Sequence, residues 1–270
     1  MKVLANQNVL ITGAGSGIGR LMAFSFAREK CNLVLIDINK DAVDAVAKEI
    51  ASTGVKVEAY KCDISDEKNV AEVVSEIDCR FPRMDIIVNN AGIVVGKSVL
   101  SLTMKEIRRT MDVNFFGHII FIKHYLPQMI QRNAGHIVNI SSSSGLLGYP
   151  NASDYNASKF AEVGFTEALR MELKKFGHSG VKTTLVCPYA IDTGMFTGFK
   201  PLLLNPILKP DYVVKEIMEA VKKEKSIIKM PFTVSLSLFI KLFPPAFSDW
   251  IFTRMGLGNA MDNHVGRIER

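Results

Sequence analysis

Six short apolar runs, each cut off from the next by a segment of helical period, leave this chain few ways to fold. The runs are 8–12, 32–37, 55–63, 86–90, 136–141 and 181–188. The first reads Asn8-Val9-Leu10-Ile11-Thr12 and the second carries Leu33-Val34-Leu35-Ile36, continuous apolar stretches of the kind a strand shows when both its faces are covered. Between them lie 18–30, 40–52, 67–81, 103–131 and 155–176, with apolar residues at helical spacing, as at Leu21, Met22, Phe24 and Phe26. Strands separated by helices of ten or more residues join in parallel through right-handed crossovers. The pattern predicts an α/β fold with one doubly wound parallel sheet, the Rossmann type. No repeat, low-complexity stretch or linker interrupts it, so 1–270 reads as one domain. A regular core is expected at 1–193, and a lid with an apolar tail at 194–270.

Composition narrows the class. Hydrophobic residues make up 48% and charged ones 22%, which excludes disorder as the main state. The net charge of +6 permits anionic partners without naming one; no nucleic-acid partner is expected. The four cysteines stand far apart with no C-x-x-C pair, so neither a metal cluster nor a disulfide framework is expected. No run of eighteen apolar residues occurs and residues 1–19 lack the look of a signal peptide. A cytoplasmic protein is expected, at most peripheral on a membrane.

A glycine turn follows the first run. Thr12-Gly13-Ala14-Gly15-Ser16-Gly17-Ile18-Gly19 departs from G-x-G-x-x-G, because Ile18 stands where a third glycine would fall. Its place between a strand and a helix still suits a pyrophosphate, which glycines admit close to the backbone and the helix N-terminus attracts. Asp37 closes the second run, where a carboxylate accepts hydrogen bonds from ribose hydroxyls and repels a 2′-phosphate. The expected cofactor is therefore NAD rather than NADP. Arg20 is the contrary indication, a basic residue beside the turn.

Tyr155 and Lys159 stand four apart at the start of a predicted helix, on one face. There an ammonium favours the phenolate that acid–base chemistry needs. Ser142 lies in the serine run 141–144 at the end of a strand; the residue pattern alone does not choose among the four.

In their order, the glycine turn, Asn89-Asn90-Ala91-Gly92, Asn114, Ser142, Tyr155 and Lys159 resemble the short-chain dehydrogenase/reductase family over nearly the whole chain. The resemblance implies catalysis by Asn114, Ser142, Tyr155 and Lys159, with Ser142 selected by family spacing and Asn114 holding a water. It implies a cofactor site of Gly13, Ser16, Gly17, Ile18, Gly19, Asp37, Asp63, Ile64, Asn90, Ala91, Gly92, Tyr155, Lys159, Pro188 and Thr193. Tyr189 departs from the family, which often has glycine after this proline. Further segments, 187–196, 208–212 and 259–262, resemble a lipid-alcohol branch of retinol and 17β-hydroxysteroid dehydrogenases. Members of that branch usually carry an N-terminal membrane anchor, and the first run here begins at Asn8.

The implied reaction moves a hydride between NAD and an apolar alcohol or ketone: a retinoid, steroid or long-chain lipid alcohol. Two other readings stand beside it. One is a soluble 3-oxoacyl reductase, which the basic charge suits and Asp37 disfavours. The other is a non-catalytic cofactor-binding protein on a lipid surface. A homodimer is expected, because 103–131 and 155–176 are apolar on more than one face, through Phe115, Phe116, Ile119, Ile120, Phe165 and Leu169. The tail, with 231–240, 242–247 and Trp250-Ile251-Phe252 among basic residues Lys222, Lys223, Lys225, Lys229, Lys241 and Arg254, is expected to touch a lipid surface such as endoplasmic reticulum or a lipid droplet.

Overall fold

The first apolar run becomes the central strand of the molecule. In the computed structural model, which describes residues 1–203 and 205–265, strand β1 (Asn8–Thr12) lies between β2 (Asn32–Asp37) and β4 (Ile86–Asn89). Leu204, one of the apolar residues of the expected lid, and 266–270 of the expected tail lie outside the described residues. With β3 (Val57–Lys61), β5 (Gly135–Ile140), β6 (Val181–Pro188) and β7 (Ile227–Met230), the strands form one seven-stranded sheet in the order β3-β2-β1-β4-β5-β6-β7. Every pairing is parallel. This is the doubly wound fold the alternation of runs requires.

Helices cover both faces. On one side α1 (Gly17–Arg28), α2 (Lys40–Ala51) and α7 (Pro210–Lys222) pack against Val9, Ile11, Leu33 and Leu35; on the other α3 (Glu67–Arg80), α5 (Gly117–Gln131) and α6 (Ser153–Lys175) pack against Leu10, Val34 and Ile36. Neighbouring residues of one strand thus point into different cores, which is why the runs are apolar throughout.

Three differences from the expected elements bear on function. The segment 103–131 is not one helix: α4 (Met104–Met111) passes into a π-helical turn at Asp112–Phe116 before α5 begins. No local pattern in 103–131 marks it, because a π-helical turn is defined by which backbone hydrogen bonds form. Strand β7 was not expected, because four residues with Lys229 among them carry too short a pattern. It exists because β6 offers it a free edge, Leu185 pairing with Ile227 through to Pro188 with Met230. The tail forms α8 (Thr233–Ile240) and α9 (Pro245–Arg254). Among the described residues no helix is long and apolar enough to cross a membrane.

The chain runs from β1 toward one sheet edge and returns at β4 to build the other. The carboxyl ends of β1 and β4 therefore open a crevice, the place where such sheets bind ligands.

Candidate active site

The glycine turn lies at that crevice. Gly13 has φ +65°, and a Cβ there would stand 2.9 Å from the Ala91 Cα, so the two backbones meet only because this residue has no side chain. Gly19 does not line the cavity; it lets α1 approach, since its Cβ would lie 2.0 Å from the Gly13 carbonyl oxygen. Asn39 caps α2, Asp66 caps α3 and Thr103 caps α4 with side-chain hydrogen bonds, whereas Ser16 at the start of α1 makes none. The first turn of α1 thus presents unpaired N–H groups. A built, uncapped N-terminus behind a glycine cradle fits a pyrophosphate.

Thr12 and Asn90 hold the two walls together. Thr12 Oγ1 accepts from the backbone N–H of Asn90 at 3.0 Å and of Ala91 at 3.1 Å, and Asn90 Nδ2 donates to the Thr12 carbonyl at 2.9 Å. Thr12 was not among the expected site residues, although it begins the quoted motif.

A cavity of about 290 Å³ runs along these ends. Gly13, Ser16, Gly17 and Ile18 line one end with Asp37, Asp63 and Ile64; Asn90, Ala91 and Gly92 form its middle; Ser142, Tyr155, Lys159, Pro188 and Thr193 close the other. Asp37 Oδ2 accepts the Gly15 N–H at 2.8 Å. Arg20 is turned away: it pairs with Glu49 at 2.8 Å and lies over the Phe24 ring. Asp63 is already engaged, by Arg109 at 3.0 Å and by the Ser65 hydroxyl at 2.7 Å. Burial acts to raise its carboxyl, but the hydrogen bonds from Arg109 and Ser65 outweigh it and hold the group below its ordinary value. Arg109, from α4, also lines the cavity. No local pattern marked it, because its partner lies 46 residues away.

At the far end Tyr155, Lys159 and Ser142 are all buried. Lys159 Nζ donates to the Ile140 carbonyl at 2.8 Å and lies 5.8 Å from the centre of the Tyr155 ring. Burial pushes the Tyr155 phenol up to about 12, with the neighbouring Ser142 hydroxyl acting the other way; the expected lowering by Lys159 does not prevail. Burial also lowers Lys159, with Glu162 opposing it. The serine run sorts itself by partner. Ser141 Oγ donates to the Lys159 carbonyl at 3.0 Å, Ser143 contacts the Tyr149 hydroxyl at 3.4 Å, and Ser142 Oγ accepts the Ser144 N–H at 3.1 Å. Of these, Ser141 and Ser142 line the cavity.

Asn114 sits in the π-helical turn and does not line the cavity. Its amide donates to the Ile93 carbonyl at 2.9 Å and to Ser158 Oγ at 3.0 Å, while its Oδ1 accepts the Ile93 N–H at 2.8 Å. Asn114 and Lys159 both come close to the Gly92 backbone: a Cβ there would meet Asn114 Oδ1 at 3.3 Å and Lys159 Nζ at 3.8 Å. Tyr189 keeps an ordinary backbone and uses its hydroxyl to accept the Leu202 N–H at 2.8 Å. It pins the lid, whose two ends meet at the Ile191–Leu208 bridge. Met195 and Phe196 from that segment wall the cavity, the Phe196 ring standing edge-on to Tyr155 at 5.8 Å.

Among known proteins, the short chain dehydrogenase family model matches residues 7–201. The chain is 42% identical to human (Homo sapiens) epidermal retinol dehydrogenase 2 over all of its length and 88% of that protein's. It is 39% identical to 17-beta-hydroxysteroid dehydrogenase 13 of Rattus norvegicus over 90% of its length and 81% of that protein's. The crystal structure of a short chain dehydrogenase/reductase from Burkholderia phymatum in complex with NAD superposes with a TM-score of 0.82 at 25% identity, covering 90% of this chain and 95% of that one. Sheet order, glycine cradle and sequence likeness over most of the length agree, and the chain belongs to the short chain dehydrogenases.

Proposed function

We propose that this dehydrogenase interconverts an apolar alcohol and its carbonyl compound, with NAD as the preferred cofactor and Ser142, Tyr155 and Lys159 as the catalytic residues. The observation that carries the reading is the convergence of these three buried side chains at one end of a cavity whose other end is the glycine cradle. A dinucleotide held along the cavity, on Gly13, Ser16, Gly17, Ile18, Asn90, Ala91 and Thr193, supplies the nicotinamide that takes or gives the hydride.

The residues do the rest. In oxidation the Tyr155 phenolate takes the substrate hydroxyl proton as the carbinol carbon loses its hydride. In reduction the phenol returns that proton to the carbonyl oxygen. Ser142 Oγ accepts the Ser144 N–H and donates a long hydrogen bond of 3.5 Å to the Pro188 carbonyl, from which its hydrogen turns to the reacting oxygen. Lys159, held by the Ile140 carbonyl, places a positive charge beside the phenolate and stabilises it once the cleft is closed to water. Asn114, whose Oδ1 keeps one lone pair beyond the Ile93 N–H, is the residue that would hold a water restoring the Tyr155 proton.

Asp37 supports NAD over NADP: its carboxylate is fixed by Gly15 at the ribose end, and Arg20 is committed to Glu49. Phe196, Met195 and Ile191 support an apolar substrate, as do relatives named for retinol and 17-beta-hydroxysteroid. The 3-oxoacyl and non-catalytic readings gain no comparable support. An exposed row on α8 and α9 supports contact with a lipid surface. Phe239, Phe243, Phe247 and Trp250 follow one another with ring centres 6.0, 5.4 and 6.1 Å apart. The basic rim is thinner than expected, because Lys222 pairs with Glu29, Lys223 with Glu219, and Lys241 donates to the Leu146 carbonyl; Arg254 lies against Trp250. A second copy of the chain would cover Phe116 and Phe160, which α6 and the π-helical turn leave exposed; Leu169, expected on that face, is buried within the chain.

The test is NADH production by the purified chain across retinol, steroid alcohols, long-chain alcohols and small polyols. Turnover of the apolar alcohols is expected; turnover confined to polyols sinks the reading.

A further inference from the structure

Behind the Lys159 end of the cavity, His118 on α5 and Glu162 on α6 meet with no exposed side-chain surface, 0% for each. His118 Nδ1 lies 2.9 Å from Glu162 Oε2, and its Nε2 lies 2.9 Å from the Ala91 carbonyl oxygen. A carbonyl oxygen only accepts, so Nε2 carries a proton. A carboxylate also only accepts, so the contact between Nδ1 and Oε2 requires a second proton, on the ring or on the carboxyl group. The pair holds two protons between its members and is neutral as a whole, the condition under which such groups stay in a dry interior. Glu162 Oε1, equally buried, has no hydrogen-bond partner among the described residues. Apolar residues of similar volume would serve packing at least as well.

We propose that His118 and Glu162 are positioning residues for the active site, His118 acting on the Ala91–Gly92 peptide and Glu162 on the Lys159 side chain. The inference rests on the reading of Lys159 as a working cation. Ala91 is gripped from two sides, its N–H by Thr12 Oγ1 at 3.1 Å and its carbonyl by His118. That grip sets the Gly92 backbone, against which Asn114 and Lys159 lie, and the cavity wall on either side of it. Glu162 follows Lys159 by three residues, on the same face of α6. It is the strongest influence holding the proton on an ammonium that burial disfavours. The other titratable groups facing this cluster are Tyr155 on α6 and Cys187 on β6; β5 contributes the Ile140 carbonyl, and the π-helical turn the neutral Asn114.

In this proposal the second proton of the pair sits on the His118 ring and Glu162 is a carboxylate, so Glu162→Gln keeps the shape and removes that charge. In that variant the alkaline fall of alcohol oxidation, where Lys159 loses its proton, is expected to move down by about one pH unit, and Glu162→Asp is expected to move it back. The dissociation constant of NADH, read by fluorescence titration without turnover, is expected to rise about fivefold. An alkaline limb in its original place with NADH affinity within about twofold of the parent would overturn the proposal. If Glu162→Gln fails to fold, nitrogen-15 spectra of the histidine-labelled parent chain decide. A protonated Nε2 on His118, slow to exchange with solvent, is required, and a bare Nε2 overturns the proposal. Failure of the underlying reading is distinct, because it appears as full turnover in Tyr155→Phe.

Discussion

Gly15 gives its backbone N–H to Asp37 Oδ2 at 2.8 Å, so the acid at the tip of β2 is oriented by the turn it serves. Asn39 donates to Oδ1 at 3.0 Å, and each oxygen retains a lone pair for a ribose hydroxyl. Asp37→Ala is expected to weaken NAD binding by about tenfold while changing NADP binding far less. Titration of both cofactors against parent and variant checks it; an unchanged ratio would place the selectivity elsewhere.

Two glycines of the cleft are expected to fail differently. A Cβ at Gly19 would meet the Gly13 carbonyl at 2.0 Å, so Gly19→Ala must move backbone and is expected to lower Tm by about 4 °C or more. A Cβ at Gly92 meets Asn114 Oδ1 at 3.3 Å and Lys159 Nζ at 3.8 Å, contacts that fold without large shifts. Gly92→Ala is therefore expected to keep Tm within about 2 °C and to lower kcat by about tenfold, by crowding Asn114 and Lys159. Calorimetry and steady-state kinetics on the two variants separate these outcomes.

Burial raises Tyr155 to about 12 and lowers Lys159, and the signs give the two directions of reaction opposite pH profiles. The phenolate needed for oxidation accumulates as pH rises, so kcat for alcohol oxidation is expected to climb from pH 6 upward until Lys159 loses its proton. The phenol needed for reduction is already present below its raised pKa, so reduction is expected to show no such climb. Initial rates in both directions from about pH 6 to 10 check this.

Tyr155→Phe removes the transferable proton and keeps the ring that Phe196 contacts. A loss of about 10²- to 10⁴-fold in kcat is expected, with NADH affinity within about threefold of the parent. Retained turnover would remove Tyr155 from the mechanism.

The aromatic row on α8 and α9 predicts flotation of the full chain with vesicles containing anionic lipid at low salt. Phe239→Asp with Phe243→Asp is expected to cut the floated fraction several-fold, since each adds charge to the surface that enters the headgroup region. Equal flotation of parent and variant would assign the row another role.

Most of the fold and the cofactor end of the site were legible because their signals are local. Apolar runs and helical spacing each lie within a few residues of the backbone they direct. The glycine turn follows the same rule, since its strand and helix adjoin it. Strand β7 escaped because its stability comes from the edge of β6 rather than from its own four residues. Arg109 escaped because its use depends on meeting Asp63 across the cavity.

The sequence by itself determined the parallel sheet and the order of the motif residues along the chain, since these follow from short-range periodicity and from the order of the residues themselves. Only the tertiary structure decided which serine faces Tyr155, that Arg20 points away, that Asp63 is occupied, and that His118 and Glu162, 44 residues apart, meet behind Lys159. Each of these depends on side chains from separate elements meeting in a buried space. There a donor's choice of acceptor is set by distance and by the loss of water, which no spacing along the chain encodes.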